Sequence, residues 1–144
     1  MKMNDASRIF LAKYKSDVKN LGLKSTYHRD LVVQTLFDFT GYAEAIEIKK
    51  KIKEECRVEM KLSLVVKILH FLGKIGVVSV ILIAEKKSIR YKLLHHTKSG
   101  CLVCKKCARA EEFEDRELVS MVHEVAKKCG FEVDRNRTFV LNVR

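Results

Sequence analysis

The sequence predicts an α+β chain: an N-terminal winged helix-turn-helix followed by a small C-terminal α/β module. Three observations predict it. Apolar residues recur at helical spacing through four successive segments between about residues 7 and 72. From Val77 the texture turns β-branched and continuous, and a polar turn divides it into two strand-sized runs. Beyond Gly100, short apolar runs flank one amphipathic segment, and three of the five cysteines gather at 101, 104 and 107.

The elements follow in order. Ser7 to about Asn20 places Phe10, Tyr14, Val18 and Leu21 on one helical face, with Gly22 just past its end. Thr26 is the expected N-cap of a second helix that carries Leu31, Val32 and Leu36. Asp38 to Gly41 reads as a turn. A third helix, about Ala43 to Glu55, turns Ala45, Ile48 and Ile52 inward and Lys49, Lys50, Lys51 and Lys53 outward. A fourth, Lys61 to Leu72, has Leu62, Val65, Val66, Leu69 and Leu72 at i, i+3, i+4 spacing and is expected to stop at Gly73. Strands Val77–Ala84 and Ile89–Leu94 enclose the turn at 85–88. In a winged helix the fourth helix enters the major groove and the hairpin flanks it, although such folds also serve as protein-interaction modules. His95 to Gly100 is the expected hinge. Beyond it come a strand at Leu102–Val103, the cysteine turn, a strand to Phe113, a helix at Arg116–Lys128 stopped by Gly130, and strands at Phe131–Val133 and Thr138–Val143. The domain boundaries are therefore 1–94, 95–100 and 101–144.

Composition narrows the function classes. Formal net charge is +11. Residues 1–94 carry 19 Lys/Arg against 10 Asp/Glu, whereas residues 95–144 carry 10 against 8. A basic module joined to a near-neutral, cysteine-bearing one suggests nucleic-acid binding coupled to a second task. No run approaches the roughly 20 apolar residues of a membrane span, and the first residues lack a signal peptide's apolar segment. An odd number of clustered cysteines suits metal or redox chemistry better than a secreted disulfide framework. A cytoplasmic protein is expected. No phosphate loop, ferredoxin cysteine spacing or fixed nucleophile-and-base pair is present, so neither an enzyme nor a small-molecule substrate is expected.

Three motifs carry a family resemblance over nearly the whole chain. Gly22-Leu-Lys-Ser-Thr-Tyr-His-Arg29 is similar to a GL(R/K)xTxxR helix entry. Lys61-Leu-Ser-Leu-Val-Val-Lys-Ile-Leu69 is distantly similar to an (S/G)xxTVYRxL recognition helix. Cys104-Lys-Lys-Cys-Ala-Arg-Ala-Glu-Glu-Phe113 matches CxxCGxxxEF, with Ala108 in place of Gly. In this order they resemble the ferric uptake regulator (Fur) family of metal- and peroxide-responsive repressors, as a divergent, PerR-like member. The resemblance implies a homodimer on double-stranded DNA, its C-terminal α/β domain serving dimerisation, and control of metal homeostasis or oxidative-stress genes. It implies DNA contacts at Lys24, Tyr27, Arg29 and Lys67, with Lys61 and Ser63 taking part of the readout because Val66 stands where the family has a tyrosine. A protein-interaction adaptor with reduced DNA readout is the alternative.

The resemblance also implies metal. Cys104 and Cys107 match the family's structural zinc pair. In many members a second CxxC near the C-terminus completes four thiolates, and here Val143 and Arg144 stand where it would be about to begin. Local donors for the remainder are Cys101, Cys129, His95 and His96, or groups of a partner subunit; alternatively Cys129 is a small buried hydrophobe. The family's regulatory ligands fall on Tyr42, Lys92, the segment Thr97–Cys101 and Asn136, so the regulatory metal is left open. Cys101, close in sequence to Lys98, Lys105 and Lys106, is a redox candidate on the expectation that positive charge lowers its thiol pKa.

Overall fold

The structure is a computed structural model that describes residues 5–23, 26–133 and 139–144. The chain folds as two compact units, Met1–Leu72 and Gly73–Arg144. The elements run α1 (Asp5–Asn20), α2 (Tyr27–Phe37), β1 (Ala43–Glu44), α3 (Ala45–Cys56), α4 (Leu62–Lys74), β2 (Val78–Ile83), β3 (Ser88–Leu93), β4 (Gly100–Cys104), β5 (Ala110–Phe113), α5 (Arg116–Lys128) and β6 (Phe139–Val143). Helices followed by a hairpin, then a small α/β module, is the predicted class.

In the first unit the helices close over Tyr14, Val18, Val32, Val33, Leu36, Ile48, Ile52, Val65 and Leu69, all buried. Local chemistry sets their ends. Gly22 (φ 74) takes the left-handed position after α1. Thr26 caps α2, its side chain accepting the Arg29 N–H. Glu44 and Glu47 form a reciprocal capping box at the start of α3, so that helix begins two residues later than the periodicity alone suggests.

Gly73 does not stop α4, which continues to Lys74. A Cβ at Gly73 would come 3.2 Å from the Val80 side chain. Glycine therefore serves close approach to β2 there, and Gly76 (φ 79) makes the left-handed exit. In the second unit β2 and β3 pair antiparallel, Val78 opposite Leu93 and Ser79 opposite Lys92. A separate sheet has the order β5-β4-β6, with β5 antiparallel and β6 parallel to β4. The expected strand at Phe131–Val133 is not formed: after Gly130 (φ 82) those residues are irregular. Thr138, the expected first residue of the last strand, lies outside the described residues, as do Lys24 and Asn136.

Candidate nucleic-acid interface and metal centre

Of the residues expected at DNA, Tyr27, Lys61, Ser63 and Lys67 are exposed on the first unit and Arg29 is half-buried, while Lys24 lies outside the described residues. Tyr27 is 64% exposed at the start of α2. Close by, Arg29 donates through Nε to Thr26 Oγ1 at 3.1 Å, and its guanidinium lies over the Phe71 ring at 4.8 Å. Phe71 thus orients Arg29 by a cation–π contact that no local sequence signal announced. On α4, Val65, Ile68, Leu69 and Leu72 face the core, whereas Ser63, Lys67 and His70 are exposed at i, i+4 and i+7. Lys61, also exposed, accepts the Leu64 and Val65 N–H groups at 3.0 and 3.1 Å through its carbonyl, leaving its ammonium stem outside the helix. Val66 is half-buried. The α3 lysines are engaged otherwise: Lys49 and Lys53 pair with Glu59, Lys50 with Glu54, and Lys51 with Glu55. Their charge is largely balanced on the spot, whereas Arg8, Lys13 and Lys19 of α1, Lys61 just before α4 and Lys67 within it are exposed basic residues.

The cysteine turn joins β4 to β5. Cys104 N–H donates to the Arg109 carbonyl and Ala108 N–H to the Cys104 carbonyl, both at 2.9 Å, which closes the loop tightly. Hydrogen bonds from the Cys107 backbone, the Cys107 side chain and the Lys106 backbone hold the Cys104 thiol below its usual pKa. Converging N–H groups that favour thiolate suit a soft cation. Ala108 holds φ 62, the left-handed conformation that favours glycine, and its carbonyl accepts Arg90 at 2.8 Å. A recess of about 270 Å³ borders Cys104, Cys107, Val143 and Arg144, and the Lys105 N–H donates to the Val143 carbonyl at 2.8 Å. The pair fits half of a four-ligand zinc site. Among the described residues, no group of three His, Cys, Asp or Glu side chains is placed to hold an ion.

The other sulfurs stand apart from this pair. Cys101 is fully buried; strand alternation sends Cys101 and Val103 inward and Cys104 to the opposite face. Burial, and next the Glu112 carboxylate opposite it in the ladder, push its thiol pKa up. The expected lowering is therefore reversed. Lys98, Lys105 and Lys106 are neighbours in sequence, but the lysine charge that acts on the thiol is that of Lys92, and desolvation outweighs it. Cys129 is exposed at the C-cap of α5, not a buried small hydrophobe. His95 is exposed and His96 half-buried, with ring centroids 5.4 Å apart. Burial, His95 and then Lys92 hold the His96 imidazole below its ordinary pKa.

Lys92, one of the positions on which the resemblance places a regulatory ligand, meets a carboxylate instead. The Lys92 ammonium donates to Glu112 Oε2, and the two side chains are only 7% and 15% exposed. The second Glu112 oxygen accepts the Lys98 N–H at 3.1 Å, and Glu114 accepts both the Ser99 hydroxyl and, at 3.2 Å, the Ser99 N–H. Glu112 and Glu114 thus pin the segment read as a hinge. A divalent cation does not fit where an ammonium already neutralises the carboxylate. Sequence reasoning passed over Glu112 because its partner lies 20 residues away; the alternation of Glu112 and Glu114 along one strand face was the available signal.

Helices, wing and cysteine knuckle together define a winged-helix regulator class. Residues 20–140 match the Ferric uptake regulator family profile, and the chain belongs to that family. It is 28% identical over 128 residues to the ferric uptake regulation protein of Helicobacter pylori, covering 89% of this chain and 84% of that one. The solved H. pylori ferric uptake regulator, described as having three functional metal-binding sites, superposes with a TM-score of 0.71 at 26% identity, over 97% of this chain and 93% of that one. A zinc uptake regulator solved with zinc and DNA shares the fold at TM-score 0.66 and 19% identity, over 97% and 93%. Membership makes this chain a transcription regulator rather than an enzyme.

Proposed function

We propose that the protein acts as a homodimeric, sequence-selective transcription regulator on double-stranded DNA in the cytoplasm, controlling metal-homeostasis or oxidative-stress genes. Residues 1–94 bind DNA, 95–100 connect, and 101–144 dimerise and hold zinc. The exposed Ser63–Lys67 face of α4 carries this reading, because it turns a hydroxyl and an ammonium outward from the helix that resembles the family's recognition helix, while the α3 lysines are occupied by glutamates. Lys67 and Lys61 meet phosphate, Ser63 and Tyr27 offer hydroxyls to base edges or backbone, Arg29 arrives pre-oriented over Phe71, and Lys24 belongs to the same set.

Cys104 and Cys107 hold the zinc, with the remaining donors supplied by other residues or the partner subunit; the metal's contribution is to cross-link the β4–β5 turn. Dimerisation rests on α5. None of its residues is buried, and Met121 and Val125 stay exposed, so the helix has an apolar face that a second subunit can cover.

Fluorescence anisotropy against operator DNA at several salt concentrations tests the proposal. The logarithmic salt slope falls by about 0.9 for every phosphate the protein ceases to neutralise, so Lys67→Glu in both subunits should lower it by about 1.8 or more. Between 1 M and physiological salt, that slope difference amounts to roughly 30-fold in affinity. If the wild type binds specific and random duplexes alike, the adaptor reading stands instead. Half-buried Val66, which offers no hydrogen bond to a base, is the observation that favours it.

A further inference from the structure

Two side chains of β3 tie the hairpin to the second sheet. Alternation along the strand places Tyr91 and Leu93 on one face and Arg90 and Lys92 on the other. From that second face Arg90 reaches the Ala108 carbonyl at 2.8 Å, and Lys92 reaches Glu112. The ammonium is enclosed by neighbouring side chains rather than solvated. Glu112 is in direct contact, Cys101 stands opposite Glu112 in the β4–β5 ladder, and His96 feels the Lys92 charge. Carboxylate and imidazole are ordinary oxygen and nitrogen donors to a divalent transition metal, whereas the buried Cys101 thiol is held protonated. At 7% exposure, Lys92 is a buried cation held against a carboxylate.

We infer that Lys92 is a resident cation: its ammonium fills, against Glu112, the place a regulatory divalent ion would take, and latches the hairpin to the second sheet without metal. A bound ion's occupancy follows its free concentration by mass action. A covalently attached ammonium is always present, so this junction stays closed whatever the free metal level. A dication approaching Glu112 would meet a like charge and have to displace Lys92 into water. The inference deepens the proposed function, since it concerns how a regulator of this family is controlled, but its test counts metal and leaves DNA out.

Cobalt(II) is titrated into the zinc-loaded full chain, with uptake per subunit and the visible spectrum as readouts. Thiolate charge-transfer bands mark any cobalt at Cys104 and Cys107, and weak d–d bands without them mark an oxygen- and nitrogen-rich site. The wild type should show none of the second kind. Lys92→Glu, which turns the ammonium into a carboxylate beside Glu112 and His96, should gain one such cobalt per subunit, bound roughly 100-fold or more tighter than by the wild type, at the upper end of what one supporting group contributes to a metal site. Lys92→Ala, which only removes the ammonium, should gain a weaker one, and circular dichroism identifies which variants fold. Wild-type uptake of an oxygen- and nitrogen-ligated cobalt that Glu112→Gln abolishes would overturn the inference, as would folded Lys92→Glu and Lys92→Ala proteins that both gain none. Because the wild-type titration stands by itself, the inference remains testable if both variants unfold. Failure of the DNA-binding proposal would appear only in the anisotropy measurement.

Discussion

Removing Lys92 should cost far more than removing a surface lysine. Lys92→Met keeps the apolar stem in place and deletes the charge, leaving Glu112 buried with the Lys98 N–H as its remaining partner among the hydrogen bonds described above. Both side chains are well under one-third exposed, so solvent screens the pair little. Breaking a buried pair by removing one member typically costs about 3–5 kcal/mol, because the surviving charge loses its counter-ion but not its desolvation. For a chain of this length, about 3 °C of melting temperature accompanies each kcal/mol, giving a fall of about 9–15 °C. Glu112→Gln preserves an acceptor for the Lys98 N–H but strands the ammonium, so it should fall in the same range or slightly below. The double variant Lys92→Met/Glu112→Gln should recover most of the loss, since a buried pair replaced as a whole is often neutral. Thermal and urea unfolding of the four proteins at one fixed subunit concentration supply the cycle. A Lys92→Met loss below about 1 kcal/mol would refute the reasoning, because that is the value of an exposed pair.

Other consequences of the packing are measurable. The Tyr14 hydroxyl is buried and has no hydrogen-bond partner among the described residues, so Tyr14→Phe should leave stability unchanged or raise it by about 1 kcal/mol in urea unfolding. Gly100 lies against the Phe113 ring, where an added Cβ would fall well inside contact distance. Gly100→Ala should therefore destabilise by about 1–3 kcal/mol or more, and Phe113→Leu in the same chain should relieve part of it. Hydrogen bonds from the Ser99 hydroxyl and N–H hold the Glu114 carboxyl below its usual pKa. A depressed folded-state pKa gives stability that is complete above the unfolded glutamate value of about 4.3 and is lost as pH falls through the folded value. Glu114→Gln should flatten that part of the acid limb of a stability–pH profile, and an unchanged limb would show that the Ser99 contacts do not persist in solution.

What could be read from the sequence was what local chemistry decides. Thr26 and Gly22 end their elements because a hydroxyl acceptor and a left-handed residue act within three or four positions. The helix at about Arg116–Lys128 was legible because Leu118, Val119, Val122 and Val125 keep helical spacing, and the Asp115 side chain caps it by accepting the Leu118 N–H. Where a distant partner decides, the sequence was silent or misleading. Gly73 looks like a helix stop until Val80 is packed against it. Cys101 looks like an activated thiol until strand alternation buries it opposite Glu112. The lysines that spacing turns outward on α3 give no sign in the sequence that each of the four ammonium groups meets a glutamate. Phe131 to Val133 has strand composition but no ladder partner among the described residues, and apolar side chains alone do not hold extended backbone.

The pairing of Lys92 with Glu112 also has a genetic consequence. Lysine and glutamate codons differ only in their first base, so a single A-to-G transition at codon 92 would set two carboxylates face to face in place of an ion pair. Two buried like charges that close would repel until a cation came between them. The distance between a junction closed by its own side chain and one that waits for an ion is thus one point mutation, in either direction.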